Sequence, residues 1–499
     1  MMRFEVLTPL VGAVMLLTCG VAWAERRESV SQYGITWTFD RPVECGRFVT
    51  GDWWVVGPVT VTGVTPAPGP ADAGQTVEVP TNQFGDAAHQ DDRRMRNGMM
   101  VVLEITHRQG YDSRGRDYDA AGSLSLPYRL EPNRSLISTI SHDAVPNPSL
   151  TEKLIWPSEQ KVRAVLKTAA VLTCLAEGAP ADAFRPSYAG TEKRIFRLRD
   201  IQWGRLGRLK RPDGPVQPRY PWQAAPTWEA MERYFQRPWI DHCRNWVFCH
   251  VMPTENQAAY GREYARLVSL ASVMLQLDEP PERKRKTLVG LVQLGIDLHG
   301  LVKLGMRWEA DGGIWSGRKW PILFAGIMLD DPEMATLSPE IPFHEDQQTY
   351  YGTGWAGQTA LYQMVAHHGP RRPYEERPPE QWDAMDRRSE AYRRSCNAQA
   401  WIGSVLAARL MRAQRAWGHD ALFDYCRRWM ARHDPYAAAR GDHRRPEEEG
   451  ATYDPLVSNM YFAYWDAAGE QPGAEKNLKW VWDSDTGGRT VGHWVPNPK

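Results

Sequence analysis

Residues 281–305 read PERKRKTLVGLVQLGIDLHGLVKLG. Leu288, Leu291, Val292, Gly295, Leu298 and Val302 recur at helical spacing. Pro281 suits the first turn of a helix, where its missing N–H costs nothing. A helix this long with one apolar face needs neighbours, and the chain supplies them on both sides. REYARLVSLASVMLQL (262–277) places Leu267, Leu270, Ala271, Met274 and Leu277 on one face. TWEAMERYFQRPWIDHCRNW (227–246) opens with Thr227 as an N-cap and Glu229 in the first turn. AQAWIGSVLAARLMRAQRAW (398–417) and DALFDYCRRWMARH (420–433) follow, separated by Gly418. Amphipathic helices joined by short loops imply helical hairpins. About seven to nine of them predict an (α/α) toroid, with a simpler bundle as the alternative.

Before this region the period changes. ITWTF (35–39), WWVVGPVTVTGV (53–64), MMVVLEIT (99–106) and VRAVLKTAAVLTCL (162–175) are β-branched and aromatic runs separated by Gly, Pro and Asp clusters. They predict a β-sandwich-like domain over 25–215. The stretch 205–226 holds five prolines and a basic cluster, and marks the boundary. The expected organisation is therefore multidomain α+β: the β-rich domain, a helical domain over 216–480 and a tail over 481–499.

The chain of 499 residues has 60 Lys+Arg against 60 Asp+Glu, so no charge imbalance steers it toward nucleic acid or a membrane surface. Its 22 tryptophans and 19 tyrosines suit recognition of sugars, whose apolar faces pack on rings. Arg3, the apolar run Leu7–Val21 and Ala22-Trp23-Ala24 describe a secretory signal peptide cleaved after Ala24, which predicts a periplasmic or extracellular protein with no membrane span. Beyond it lie Cys45, Cys174, Cys243, Cys249, Cys396 and Cys426. Their spacing suggests no zinc site, and they are expected as buried thiols or one or two disulfides. No metal or cofactor is expected.

Three polar clusters interrupt the helical half. In HVMPTENQAAYGREYAR (250–266), His250, Asn256, Tyr260, Arg262 and Glu263 surround a helix start, where unpaired N–H groups favour anions. In RWEADGGIWSGRKWPILFAGIML (307–329), a glycine-rich loop would present Arg318 and Lys319 beside another helix start. The spacing is not that of a P-loop. In FHEDQQTYYGTGW (343–355), His344, Glu345 and Asp346 are possible acids, bases or positioning groups. Tyr350, Tyr351 and Trp355 offer proton transfer or stacking.

The segments WSGRKWPILFAG, FHEDQQTYYGTGW and NAQAWIGSVLAARLMRAQRAWGHDALFDYCRRWM resemble polysaccharide lyase family 38. The resemblance covers the helical half. It implies an α/α barrel acting on an anionic, uronate-containing polysaccharide of the alginate or glucuronan type. Such a reaction is a β-elimination: a base takes the C5 proton, an acid protonates the leaving O4, and a cation or amide neutralises the carboxylate. On this expectation Tyr351, helped by His344, is the base, with Tyr260 almost level. Arg318 or Arg262 supplies charge, and Asn256, His250 or His344 meets the carboxylate. Lys319, Glu345, Tyr350 and Trp355 complete the predicted binding set. Two alternatives stand beside it. One is a glycoside hydrolase drawing on Glu309, Asp311, Glu345 and Asp346; the other is a non-catalytic glycan-binding protein.

Overall fold

The structure is a computed structural model that describes residues 25–70, 95–142, 164–213, 227–244, 248–256, 260–365, 371–430, 452–468, 478–482 and 492–496. The signal-peptide expectation for residues 1–24 lies outside them.

The N-terminal part is one curled mixed sheet. Strands β1 (Glu25–Gln32), β2 (Ile35–Arg47), β3 (Trp53–Val56) and β4 (Val59–Thr65) come first. A two-stranded pairing of β5 (Gly69–Pro70) with β6 (Met95–Arg96) stands apart from the main sheet. Then come β7 (Met99–Val101), β8 (Tyr128–Leu130), β9 (Arg134–Ser141) and β10 (Leu166–Leu175). The main sheet has eight strands in the order β7-β9-β10-β3-β2-β4-β8, with β1 paired to β2. Its β10–β3 pair is parallel and the rest antiparallel. The Tyr33-Gly34 turn joins β1 to β2, both residues at positive φ (52° and 83°), the geometry that two-residue hairpins favour.

This arrangement corrects the sandwich expectation. Side chains alternate across a strand, and here the two faces enter different cores. Ile35, Trp37, Val55, Leu136 and Leu172 fill the concave side of a half-barrel. Ile137, Ala169 and Val171 face outward and join Leu267, Leu291 and Trp320 in the helical core. The sheet thus closes one face on itself and packs the other on helices. Alternation alone cannot distinguish that from two stacked sheets. The stretch 181–209 contributes only bridge and 3-10 residues, and runs over the helices: Gln202 N–H donates to Met328 O at 2.8 Å and Leu209 N–H to Gln276 O at 3.0 Å.

The C-terminal region is helical. Its helices are α1 (Trp228–Tyr234), α2 (Gly261–Met274), α3 (Pro281–Lys303), α4 (Lys319–Leu329), α5 (Pro332–Ala335) and α6 (His344–Gln348), then α7 (Ala384–Tyr392), α8 (Ala398–Leu410), α9 (Gln414–Trp417), α10 (Asp420–Trp429) and α11 (Pro455–Tyr464). Thr227 caps α1 through a bond from Ala230 N–H, and Pro281 opens α3, both as the sequence requires. Helix α2 packs mainly on α8, and α3 on α4. Strands β11 (Thr349–Tyr351) and β12 (Ala360–Tyr362) form a small hairpin beyond α6. A further hairpin, β13 (Leu478–Trp482) with β14 (Gly492–Pro496), occupies part of the expected tail. Among the described residues the six cysteines are buried and none forms a disulfide. Among the described residues no helix is long and apolar enough to cross a membrane.

Candidate functional site

The loop between α3 and α4, residues 310–317, gathers all three polar clusters. A glycine-rich loop exposes more backbone polar groups than side chains, and buried ones must find partners. Helix α6 supplies most of them. Gln347 Oε1 accepts from Ala310 N–H at 2.6 Å, and Gln348 Nε2 donates to Gly312 O at 2.8 Å. Glu345 Oε1 accepts from Gly317 N–H and, at 3.4 Å, from the Ser316 hydroxyl. Glu345, Gln347 and Gln348 of FHEDQQ are buried because they replace the loop's missing hydrogen bonds.

His344 is the centre of this clamp. Its Nδ1 accepts from Asp311 N–H at 3.4 Å, so Nε2 carries the proton and donates to Asn397 Oδ1 at 3.0 Å. Asn397 Nδ2 in turn donates to Gly312 O at 2.9 Å and to the Tyr362 hydroxyl at 2.8 Å. Both residues are fully buried, and burial lowers the His344 pKa to about 4. The imidazole is therefore neutral near pH 7 and acts as a positioning group for the loop.

The rim of the loop holds the more open groups. Tyr260 precedes α2 and its hydroxyl accepts from Gly313 N–H at 3.2 Å. A Cβ on Gly313 would stand 2.5 Å from the Cys396 Cβ and 3.1 Å from the Tyr260 ring. One on Gly261 would meet Gly313 O at 2.1 Å, so glycine permits both close approaches. Tyr260, Asp311 and Tyr392 are half-buried and Arg388 is exposed. Arg388 and Tyr392 are four apart on α7, hence on one face.

These environments differ. Burial holds the Tyr260 phenol well above its usual pKa, with Cys396 and Tyr392 adding to the effect and Arg262 opposing it. Burial also raises Tyr392, with Cys396 and the Asp311 carboxylate adding to the rise, while the charge and hydrogen bond of Arg388 pull the other way. Two tyrosines with unequal proton affinity thus share one rim. The sequence pointed to Tyr260; Tyr392 was missed, and its only signal was the Arg388-x-x-x-Tyr392 spacing.

Other expected site residues are placed differently. Arg318 is fully buried rather than presented at a helix start: it donates to Asp241 at 2.8 and 3.3 Å, and its guanidinium stacks on Tyr264 at 3.7 Å. Lys319 is buried against Asp346 and Trp417 O. Arg262 is buried and donates to Glu263 at 2.6 Å and to Ser395 O at 3.3 Å. Asn256 is buried, with its amide on Pro238 O at 3.2 Å. Tyr351 donates to Asp424 at 2.6 Å, not to His344, and burial together with that carboxylate raises its pKa. Tyr350 donates to Glu376 at 2.8 Å. Trp355 is exposed. The backbone of His250 lies in a 3-10 turn, Phe248–Val251, and its side chain is outside the described residues.

Three of the four carboxylates that a hydrolase would draw on are also occupied, and Asp311 is half-buried at the rim. Glu309 pairs with Arg244, and Asp346 accepts from Trp417 Nε1 at 2.9 Å beside Lys319. Glu345 faces the buried side of the loop. Among the described residues no group of three or more His, Cys, Asp or Glu is placed to hold a metal ion. Comparisons with family models, curated proteins and solved structures give no match.

Proposed function

We propose that the protein is a polysaccharide lyase that cleaves a uronic-acid-containing chain, of the alginate or glucuronan type, by β-elimination. In this reading the helical hairpins belong to an (α/α) toroid, and the polymer crosses the rim of the 310–317 loop. The observation that carries the proposal is the pair of tyrosines there, with an exposed arginine beside one of them. Pairs of titratable groups whose environments separate their proton affinities mark acid and base roles.

Tyr392 is the base. Burial holds the Tyr392 phenol above its usual pKa and Arg388 opposes that rise; once ionised, the Tyr392 oxygen takes the C5 proton of the uronate. Arg388 also faces the substrate carboxylate and stabilises the enolate-like charge that develops as the proton leaves. Tyr260, held protonated by burial, gives its proton to O4 as the C4–O4 bond breaks. The products are a new non-reducing end with a C4–C5 double bond and a new reducing end whose anomeric hydroxyl is the protonated O4. This assignment moves the base from Tyr351, whose hydroxyl is committed to Asp424.

The test is incubation with polymannuronate, polyguluronate and glucuronan. Ultraviolet absorbance of the unsaturated uronate is the expected outcome. New reducing ends without that absorbance mean hydrolysis and refute the proposal. Tyr392→Phe and Tyr260→Phe should each lower kcat by roughly 100-fold or more, the usual contribution of a positioned acid or base. Tyr351→Phe should leave kcat within a few-fold.

A further inference from the structure

A cavity of about 330 Å3 lies away from this loop, between the Tyr33-Gly34 turn, the turn at residues 49–52 and helices α1 and α3. Its size is that of a small-ligand site. The floor is polar and closed. Arg185 is 1% exposed and donates to Asp52 at 2.7 Å and to Asp297 at 2.9 and 2.6 Å. Those three charges leave the floor with one net negative charge. Gln293 lines it too: the amide Nε2 donates to Arg185 O at 2.9 Å, while the buried Oε1 has no hydrogen-bond partner. A buried acceptor without a donor is costly unless a ligand supplies one.

The rim has the opposite sign. Arg285 and Lys286 stand exposed on α3. Lys286 reaches Glu232 at 3.3 Å, yet its side chain is 74% exposed and that pair is weak. Arg237 lies 3.7 Å above the Tyr33 ring and forms one wall. The cavity therefore asks for donors inward and an anion outward. An inorganic anion would satisfy only the rim, and a neutral sugar only the floor. A polyhydroxylated acid satisfies both.

We propose that this cavity is a second, non-catalytic site that binds an acidic sugar, with a hydroxyl donating to Gln293 Oε1 and the carboxylate directed to Arg285 and Lys286. The inference stands on the cavity and holds whether or not the chain cleaves a polymer at the 310–317 loop.

Calorimetric titration of the full chain with glucuronate, glucose and inorganic phosphate tests it. Glucuronate should bind at least about ten-fold more tightly than the other two. The double variant Arg285→Glu, Lys286→Glu, confined to exposed positions, should weaken glucuronate by about ten-fold or more, and so should Gln293→Leu. Tyr392→Phe should leave that affinity unchanged. Equal affinity for glucose or phosphate, no binding of glucuronate, or full affinity in the double variant overturns the proposal. Loss of binding in Tyr392→Phe would place the ligand at the loop instead and equally overturns it.

Discussion

Glu345 shows how a single residue can be legible as important and illegible as to why. Its sequence neighbourhood suggested a group facing substrate. Instead one oxygen holds Gly317 N–H, and the other is buried without a hydrogen-bond partner. Burial pushes its carboxyl from 4.5 up to about 7. The folded state therefore binds this proton more strongly than the unfolded state, so stability falls as pH rises from 4.5 to about 7 and levels off above. Glu345→Gln should remove that slope. Denaturant midpoints measured across the window check it: an unchanged slope in the variant would show that Glu345 ionises freely in the fold. Arg318 carries the same lesson. Its charge was visible in the sequence, but its partner Asp241 lies 77 residues away, and only the fold brings them together.

At the scale of elements, the decisive unit is the 310–317 loop with the short helix α6 that holds it. The sequence marked both as polar junctions and expected both to face outward. The physical reason that α6 faces inward is the loop's own backbone: Ala310, Asp311, Gly312 and Gly317 all need partners, and α6 side chains provide them. Long helices such as α3 were readable because an apolar stripe reports burial directly. A five-residue polar helix has no such stripe. Gly313→Ala should be costly here, because the added methyl would press on Cys396 and the Tyr260 ring. A loss of about 1–3 kcal/mol is expected, as for overpacked sites. Loss of activity should accompany it as Tyr260 is displaced. A midpoint and kcat equal to those of the unaltered protein would mean that the loop yields without effect.

For the whole molecule, the sheet and the helices share one apolar core, with Ile137 and Val171 from strands beside Leu291 and Trp320 from helices. Arg185 ties the same parts through Asp52 near the sheet and Asp297 on α3. Removing one member of a buried charge network leaves the others uncompensated. Arg185→Met should cost roughly 3–5 kcal/mol, read as a lower urea midpoint. Tryptophan fluorescence and far-ultraviolet circular dichroism should follow a single coincident transition in the unaltered protein. Two separated transitions would contradict a shared core.

The sequence by itself marked some of the strands, though not β1, β8 or β9, and the long helices α2 and α3, through the two periods of side-chain burial. The helices expected over 227–246 and 398–417 end earlier, at Tyr234 and Leu410. It also determined which short stretches were too polar for an ordinary core. Only the tertiary structure decided which charges are spent on each other. It turned Arg318, Lys319, Glu345 and His344 inward and left Tyr260 with Tyr392 and Arg388 at the rim. The reason is that apolar burial follows a local, repeating pattern. The pairing of a charge or a hydrogen bond depends instead on a partner that the chain supplies from elsewhere.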